Sequence, residues 1–182
     1  KSKTEQTEVP EGLFRAPNVF RQFRVFLTRN ILSKISDKQY MLINLLEAPL
    51  LAAILAFLCR YSVPLKEGAI YIFRENENIP AFILMSVIVA LFIGLTVSSE
   101  EIIRDRKILQ RESFLNLSRL GYLNSKIIYL FVLSAFQSFM YVLVGNSILE
   151  IHGMLFEYWL ILFSTMCFSN ILGLNISAAL KS

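Results

Sequence analysis

The feature that most constrains this chain is a set of four long apolar stretches, each long enough to cross a lipid bilayer. They lie at about residues 41–60, 79–99, 126–149 and 156–180. At a rise of about 1.5 Å per residue, a helix of roughly twenty residues crosses a hydrocarbon core about 30 Å thick. Lipid offers no hydrogen-bond partner to the backbone, so each stretch must be helical. The predicted fold class is all-α, a polytopic helical membrane protein.

The composition of the chain agrees with a membrane protein and argues against several other classes. Hydrophobic residues make up 55% of the sequence, whereas soluble domains contain about 45–50%. The one histidine, His152, and the two cysteines, Cys59 and Cys167, have no metal-ligand spacing. The sequence therefore predicts no metal site and no catalytic residues within this chain. An intramembrane enzyme is the least favoured class.

Basic residues lie almost entirely on one side of the predicted membrane topology. Of the 18 lysines and arginines, eight lie in residues 1–40, six in residues 100–126, and one is Lys181. With four spans, these regions share a side, and cytoplasmic loops carry the excess of basic residues. We therefore predict an integral protein of the plasma (inner) membrane with a cytoplasmic N-terminus. The same distribution accounts for the net charge of +4, so no nucleic-acid partner is predicted.

Two segments precede the first span. Residues 1–17 are polar and contain proline and glycine, which predicts a linker from a preceding domain. Residues 18–36 are predicted to form a connecting helix with an apolar stripe of Phe20, Phe23, Leu27 and Ile31 beside basic residues. Such a helix is typical of the membrane interface, and it also fits a helix that covers another domain. The transmembrane domain itself is predicted over residues 37–182.

A dense run of charges follows the second apolar stretch directly. Its sequence is SSEEIIRDRKILQRE, residues 98–112. Serine followed by two glutamates favours the start of a helix, which we place at about residues 100–113. The pattern alone leaves two interpretations open, namely a solvated helix that joins two spans and a helix that contacts another domain.

The longer stretch EEIIRDRKILQRESFLNLSRLGYLNSKI, residues 100–127, resembles the loop after the second span of G-subfamily (type-2) ATP-binding-cassette exporters. The matching features are an initial acid, an acidic and basic cluster, an Arg-Glu pair, a tyrosine, and a small residue followed by lysine. They correspond to Glu100, Arg104–Lys107, Arg111–Glu112, Tyr122 and Ser125–Lys126. The segments QFRVFLTRNILSKISD at 22–37 and LGLNISAAL at 172–180 are similar to the family's connecting helix and the end of its fourth span.

The resemblance implies that the chain is a fragment holding the first four of six spans, preceded by an ATP-binding domain. It also implies that the helix at 100–113 is a cytoplasmic coupling helix, which docks on the nucleotide-binding domain. The residues implicated in that contact are Glu100, Arg104, Arg106, Lys107, Arg111 and Glu112. No G-x-x-x-x-G-K-[ST] phosphate loop occurs in the chain, so ATP and magnesium are expected on a partner cassette, in the same or a separate chain. A second transmembrane half, identical or different, and the lipid bilayer are the other expected partners.

Two ion pairs are predicted among the segments on the cytoplasmic side. Arg29 is expected to meet Glu100, and Glu112 is expected to meet Lys126. Exposed pairs contribute only about 0–1 kcal/mol each. Their expected role is therefore to align the helices rather than to stabilise them.

The resemblance also implies that the second span lines a cavity between two transmembrane halves. The candidate residues are Val89, Phe92, Ile93 and Thr96. Drug exporters of the family place a phenylalanine where this chain has Ile93, which favours lipid-like or other amphiphilic cargo over flat aromatic drugs. Glu47 is a further candidate, because a carboxyl within a span is expensive and normally faces a cavity or the bundle interior. A hydrogen bond to a neighbouring helix explains Glu47 equally well.

Together these features predict the transmembrane permease part of an ATP-driven exporter that works by alternating access in a dimer. The alternative, from a different class, is a membrane sensor or scaffold that uses the same fold without transport. Absence of ATP turnover in the intact protein would favour the sensor.

Overall fold

The computed structural model describes residues 19–61, 76–105 and 119–179, and these residues are almost entirely helical. Their helices are α1 (Val19–Ser36), α2 (Lys38–Tyr61), α3 (Ile79–Ser99), α4 (Arg119–Leu149) and α5 (Leu155–Ala179). After a turn at Glu100, residues 101–105 are helical again. The prediction of an all-α fold is confirmed.

Four segments of the described chain are long and apolar enough to cross a membrane. They are Lys38–Arg60, Ile79–Asp105, Leu120–Leu149 and Leu155–Ala179. The chain is therefore a polytopic helical membrane protein, as predicted. Successive spanning helices run in opposite directions, so α2 is parallel to α4 and α3 is parallel to α5. We refer to the end of the bundle where α2 begins and α3 ends as the α1 end.

The most extensive helix contact is between α3 and α5, and small residues on both helices allow it. A Cβ atom added at Gly94 would lie 2.8 Å from Ser169 Cβ. One added at Gly173 would lie 1.9 Å from Ser98 Oγ. Each glycine of one helix therefore faces a serine of the other, which is the small-residue packing that membrane helices use for close approach.

The second parallel pair, α2 with α4, is held by small residues and one buried amide. Ala48, Ala52 and Ala56 recur at every fourth position of α2 and are fully buried. Gln137 of α4 donates a 2.9 Å hydrogen bond to the backbone oxygen of Asn44. α2 is thereby fixed against α4, whereas its contact with α3 is much smaller.

α4 is the central helix, since it packs against α1, α2 and α5. It begins at Arg119, seven residues before the predicted start of the third span at residue 126. Hydropathy placed that boundary at Lys126, the last charged residue before the apolar stretch. The helix extends through this lysine because its ammonium group is buried against the carboxylates of Glu101 and Asp105.

α1 lies against α4 and buries a face that differs from the predicted apolar stripe. Gln22, Phe26 and Asn30 are buried, whereas Phe20 of the predicted stripe is 68% exposed. The buried face is partly polar because the part of α4 that receives it presents Lys126, which bonds to Asn30. The position of α1 at a membrane interface stays a prediction.

Candidate functional site

A cluster of buried and partly buried charged side chains lies at the α1 end of the bundle. Lys126 of α4 is at its centre, and its side chain is 2% exposed. Its Nζ atom lies 2.9 Å from Glu101 Oε2 and 2.7 Å from Asp105 Oδ2, and it donates to Asn30 Oδ1 at 2.8 Å. An ammonium group has three N–H donors, so these three acceptors satisfy it.

Glu101 connects a second lysine to the first. Its Oε1 atom accepts a hydrogen bond from Lys34 of α1, and the hydroxyl of Tyr40 lies 3.4 Å from the same oxygen. The Lys34 ammonium also lies 4.1 Å from the centroid of the Tyr40 ring. Glu101 therefore links α1, α2 and α4. We call Lys34, Glu101, Asp105 and Lys126 the charge cluster.

Aromatic side chains enclose the charge cluster where α1 meets α4. Tyr122 donates a 3.0 Å hydrogen bond to Asp105 Oδ2. Its ring contacts the ring of Phe26 edge to face, with the centroids 6.0 Å apart, and Lys126 Nζ lies 5.8 Å from its centroid. These contacts fix Asp105 although its side chain is 26% exposed.

The charge cluster has no net charge, because its two ammonium groups balance its two carboxylates. Taking each ion out of water costs several kcal/mol, and mutual attraction offsets this only where every group finds its partners. Lys126 meets this condition through the three acceptors around its ammonium group. We infer that the cluster specifies how the helices fit together more than it adds to net stability.

The segment that carries Glu101 and Asp105 is also capped from α5. The hydroxyl oxygen of Ser177 accepts hydrogen bonds from the backbone N–H groups of Ile102 and Ile103, at 3.1 and 3.3 Å. The first N–H groups of a helix have no partner within it, so Ser177 provides the cap from another helix. The start of the charged loop is thus attached to α1, α4 and α5 at once.

The structure does not bring Arg29 and Glu100 together. Arg29 lines a pocket with Asp105 and Lys126, whereas Glu100 lines a different pocket on the side of α2. Neighbouring positions of a helix point to different faces, and Glu101 is the acid that faces α1 and α4. The predicted contact between α1 and the loop exists, and the residues that form it are Lys34 and Glu101.

Lys126 pairs with acids at the start of the charged loop, namely Glu101 and Asp105. The predicted pair between Lys126 and Glu112 stays a prediction. Outside the described residues lie Arg106, Lys107, Arg111 and Glu112.

The cavity candidates of the second span separate by the face of α3 on which they lie. Ile93 is fully buried in the packed core, so in this structure it packs against other helices rather than facing a cavity. Phe92 is 66% exposed, and Val89 packs partly buried against the core. Thr96 lines a cavity between α2 and α3 together with Glu47.

Comparison with known protein families identifies the kind of membrane domain to which this site belongs. The family model described as ABC-2 type transporter matches residues 21–182. The chain belongs to the ABC-2 type transporter family. Comparisons with curated proteins and with solved structures gave no match. In this ABC-2 transporter domain, the charge cluster therefore lies at the end of α3, the second spanning helix, where the chain continues into the charged loop.

The sequence contains two signals for this site beyond those on which the predicted ion pairs rest. Asn30 and Lys34 lie four residues apart on α1, and Glu101 and Asp105 have the same spacing after α3, so each pair shares a helix face. Neither spacing tells which two faces meet. The roles of Asn30, Lys34 and Tyr40 in this ABC-2 domain therefore became visible only in the packed bundle.

Proposed function

We propose that the chain is the transmembrane permease part of an ATP-driven exporter of lipid-like or amphiphilic substrates. The observation that carries this proposal is the charge cluster, which ties the start of the loop at 100–126 to the spanning helices. Membership of the ABC-2 type transporter family supports a permease. Amphiphilic cargo rests on the resemblance to drug exporters, which have phenylalanine at the position of Ile93, and not on a contact of Ile93 itself, which packs in the core.

In this proposal the charged loop receives force from a nucleotide-binding domain and passes it to the bundle. Glu101 holds Lys126 of α4 and Lys34 of α1, and Ser177 of α5 holds the loop backbone. A displacement of the loop therefore displaces α1, α4 and α5 through contacts that already exist. Packed helices respond to small shifts at one site by moving between discrete arrangements, which is what alternating access requires.

The proposal places the α1 end in the cytoplasm, with the N-terminus on that side of the plasma (inner) membrane. The clustering of basic residues in the segments at this end supports the orientation. ATP and magnesium bind to a partner cassette, in the same or a separate chain, and a second transmembrane half completes a dimer. Glu100 and Arg104 are exposed, as contact with a cassette requires.

ATP turnover by the intact protein with its cassettes, reconstituted in lipid nanodiscs, tests this proposal. Asp105→Asn removes one carboxylate from Lys126 and leaves the contact with Glu101 in place. We expect lower ATP turnover and weaker stimulation by an amphiphile, with nucleotide binding to the cassettes unchanged. Glu150→Gln is the matched control, because it removes a carboxylate from an ion pair with Arg60 at the opposite end of the bundle, and it should leave turnover unchanged.

The outcomes separate the proposal from its alternative. Equal turnover and equal stimulation in Asp105→Asn and the wild-type protein would contradict a coupling role for the charge cluster. Absence of ATP turnover even in the wild-type protein would overturn the exporter and favour a membrane sensor or scaffold with the same fold.

A further inference from the structure

The cavity between α2 and α3 is a second site, distinct from the charge cluster that borders it. It has a volume of about 220 Å³. α2 contributes Tyr40, Ile43, Asn44 and Glu47, and the end of α3 with the following turn contributes Thr96, Val97, Glu100, Glu101 and Arg104. The cavity exists because α2 is fixed against α4 and has little contact with α3. It runs from the exposed turn at Glu100 to Glu47, nine residues inside the spanning segment Lys38–Arg60.

The charges around this cavity leave one carboxylate uncompensated at its inner end. Glu101 is already paired with Lys34 and Lys126. Glu100 lies at the exposed end, where Arg104 also lines the wall. Within the described part of the chain, the Glu47 carboxylate accepts no hydrogen bond and forms no ion pair. A carboxylate in this position within a membrane span requires a counter-cation or a proton.

The size and the surroundings of the cavity indicate what kind of cation fits. A volume of about 220 Å³ is smaller than the roughly 300–1,000 Å³ of pockets for drug-sized ligands, so it holds a headgroup and not a whole amphiphile. One turn deeper in the membrane, Leu50 of α2 and Phe92 of α3 are 57% and 66% exposed. They provide an apolar surface along which an attached alkyl chain can lie.

We propose that the cavity between α2 and α3 binds the ammonium headgroup of an amphiphile, with the Glu47 carboxylate as its counter-ion. The Thr96 hydroxyl donates to the backbone oxygens of Phe92 and Ile93, which leaves its lone pairs to accept a bond from the headgroup. The alkyl chain extends over Leu50 and Phe92. That this ligand is cargo rests on the proposed function, whereas its binding does not depend on ATP.

Binding of tritiated dodecylamine to the full-length protein in uncharged maltoside micelles tests the site. Dodecanol, with the same chain and no charge, is the reference probe. We expect the wild-type protein to bind dodecylamine more tightly than dodecanol by about tenfold or more. Glu47→Gln should abolish this difference without changing dodecanol binding. Glu157→Gln, which removes an exposed carboxylate in the first turn of α5 at the opposite end of the bundle, should preserve it.

Each result supports or overturns the site. Equal binding of the two probes by the wild-type protein overturns it, and this measurement does not depend on whether Glu47→Gln folds. The site is also overturned if folded Glu47→Gln keeps an undiminished preference for dodecylamine. It is overturned as well if Glu157→Gln loses as much of this preference as Glu47→Gln does.

Stimulation of ATP turnover in the reconstituted protein distinguishes cargo from a resident lipid. Stimulation by dodecylamine in the wild-type protein, lost in Glu47→Gln, supports an amine-bearing cargo. Preferential binding without stimulation supports the site as one that holds a resident amine-bearing lipid, and it overturns the assignment of the bound amphiphile as cargo. Absence of basal ATP turnover contradicts the proposed function. It does not change the conclusion that the binding measurement gives for the site.

Discussion

The two ends of this bundle both carry ion pairs, and the environment of the charges differs sharply between them. At the α1 end, Lys126 and Glu101 have side chains only 2% and 1% exposed. At the opposite end, Arg60 pairs with Glu150 at 2.7 Å, with side chains 27% and 47% exposed. Water screens the second pair and is excluded from the first. The same chemistry therefore fixes the helices at one end and adds little at the other.

The chain geometry at each end agrees with this difference. At the α1 end, the partners of Glu101 belong to α1, α2 and α4. At the opposite end, Glu150 has a positive φ of 57° and lies in the short turn between α4 and α5, where it meets one residue of α2. The acid at the α1 end therefore joins three helices, whereas Glu150 joins its turn to α2.

Glu101→Gln should produce the largest effect, because it removes the carboxylate that the buried Lys126 and the partly buried Lys34 share. Breaking a buried pair by removing one partner costs about 3–5 kcal/mol. We expect a loss of this size in the free energy of unfolding, measured by denaturant titration in lipid or detergent. Glu100→Gln alters the neighbouring exposed acid and should change stability by less than about 0.5 kcal/mol. Similar losses in the two variants would contradict the contrast between buried and exposed charges.

Gly94→Ala should rank second, because α3 and α5 have no room for an added methyl group. The new Cβ would lie 2.8 Å from Ser169 Cβ and 3.0 Å from the backbone oxygen of Met166, and neither atom is at the end of a flexible side chain. Overpacking of this kind costs about 1–3 kcal/mol, to be measured by the same titration. Gly145→Ala is the control, since its Cβ would mainly meet the far end of the Phe82 ring at 3.1 Å. A greater loss of stability in Gly145→Ala than in Gly94→Ala would show that the contact between α3 and α5 is not the tightest in the bundle.

Ser177→Ala should have a smaller and more local effect. It removes the hydroxyl that accepts from the N–H groups of Ile102 and Ile103. A hydrogen bond of this kind contributes about 0.5–1.5 kcal/mol, so we expect faster amide exchange at these two positions. Ser164→Ala is a suitable control, because its exposed hydroxyl bonds only within its own helix. Unchanged exchange at both amides would mean that α5 does not cap the loop.

The exposed pair at the opposite end should give the smallest effect. A double-mutant cycle with Arg60→Gln and Glu150→Gln is expected to give a coupling energy of about 0–1 kcal/mol, falling as salt is added. The coupling energy between Lys126 and Glu101 should be larger than this value and should depend less on salt. A larger and salt-independent coupling for Arg60 and Glu150 would remove the difference between the two ends.

The sequence was informative about the loop, and one of its two predicted contacts differs from the structure. It predicted that Lys126 pairs with an acid of the charged loop, and in the structure Glu101 and Asp105 hold this lysine. The acid it favoured, Glu112, lies outside the described residues, so that pair stays a prediction. It paired α1 with the loop through Arg29 and Glu100, whereas Lys34 and Glu101 form that contact.

The sequence by itself determined the class of this protein, because lipid leaves the backbone no alternative to helix and the four apolar stretches are long enough to span it. It also determined the position of the charged loop and the excess of basic residues on one side. Only the tertiary structure decided which helix faces meet. Ile93 lies in the core while Phe92 does not, and Glu101 is buried while Glu100 is exposed. Residues one position apart differ in this way because a helix turns by about 100° per residue, and its neighbours alone select the buried side.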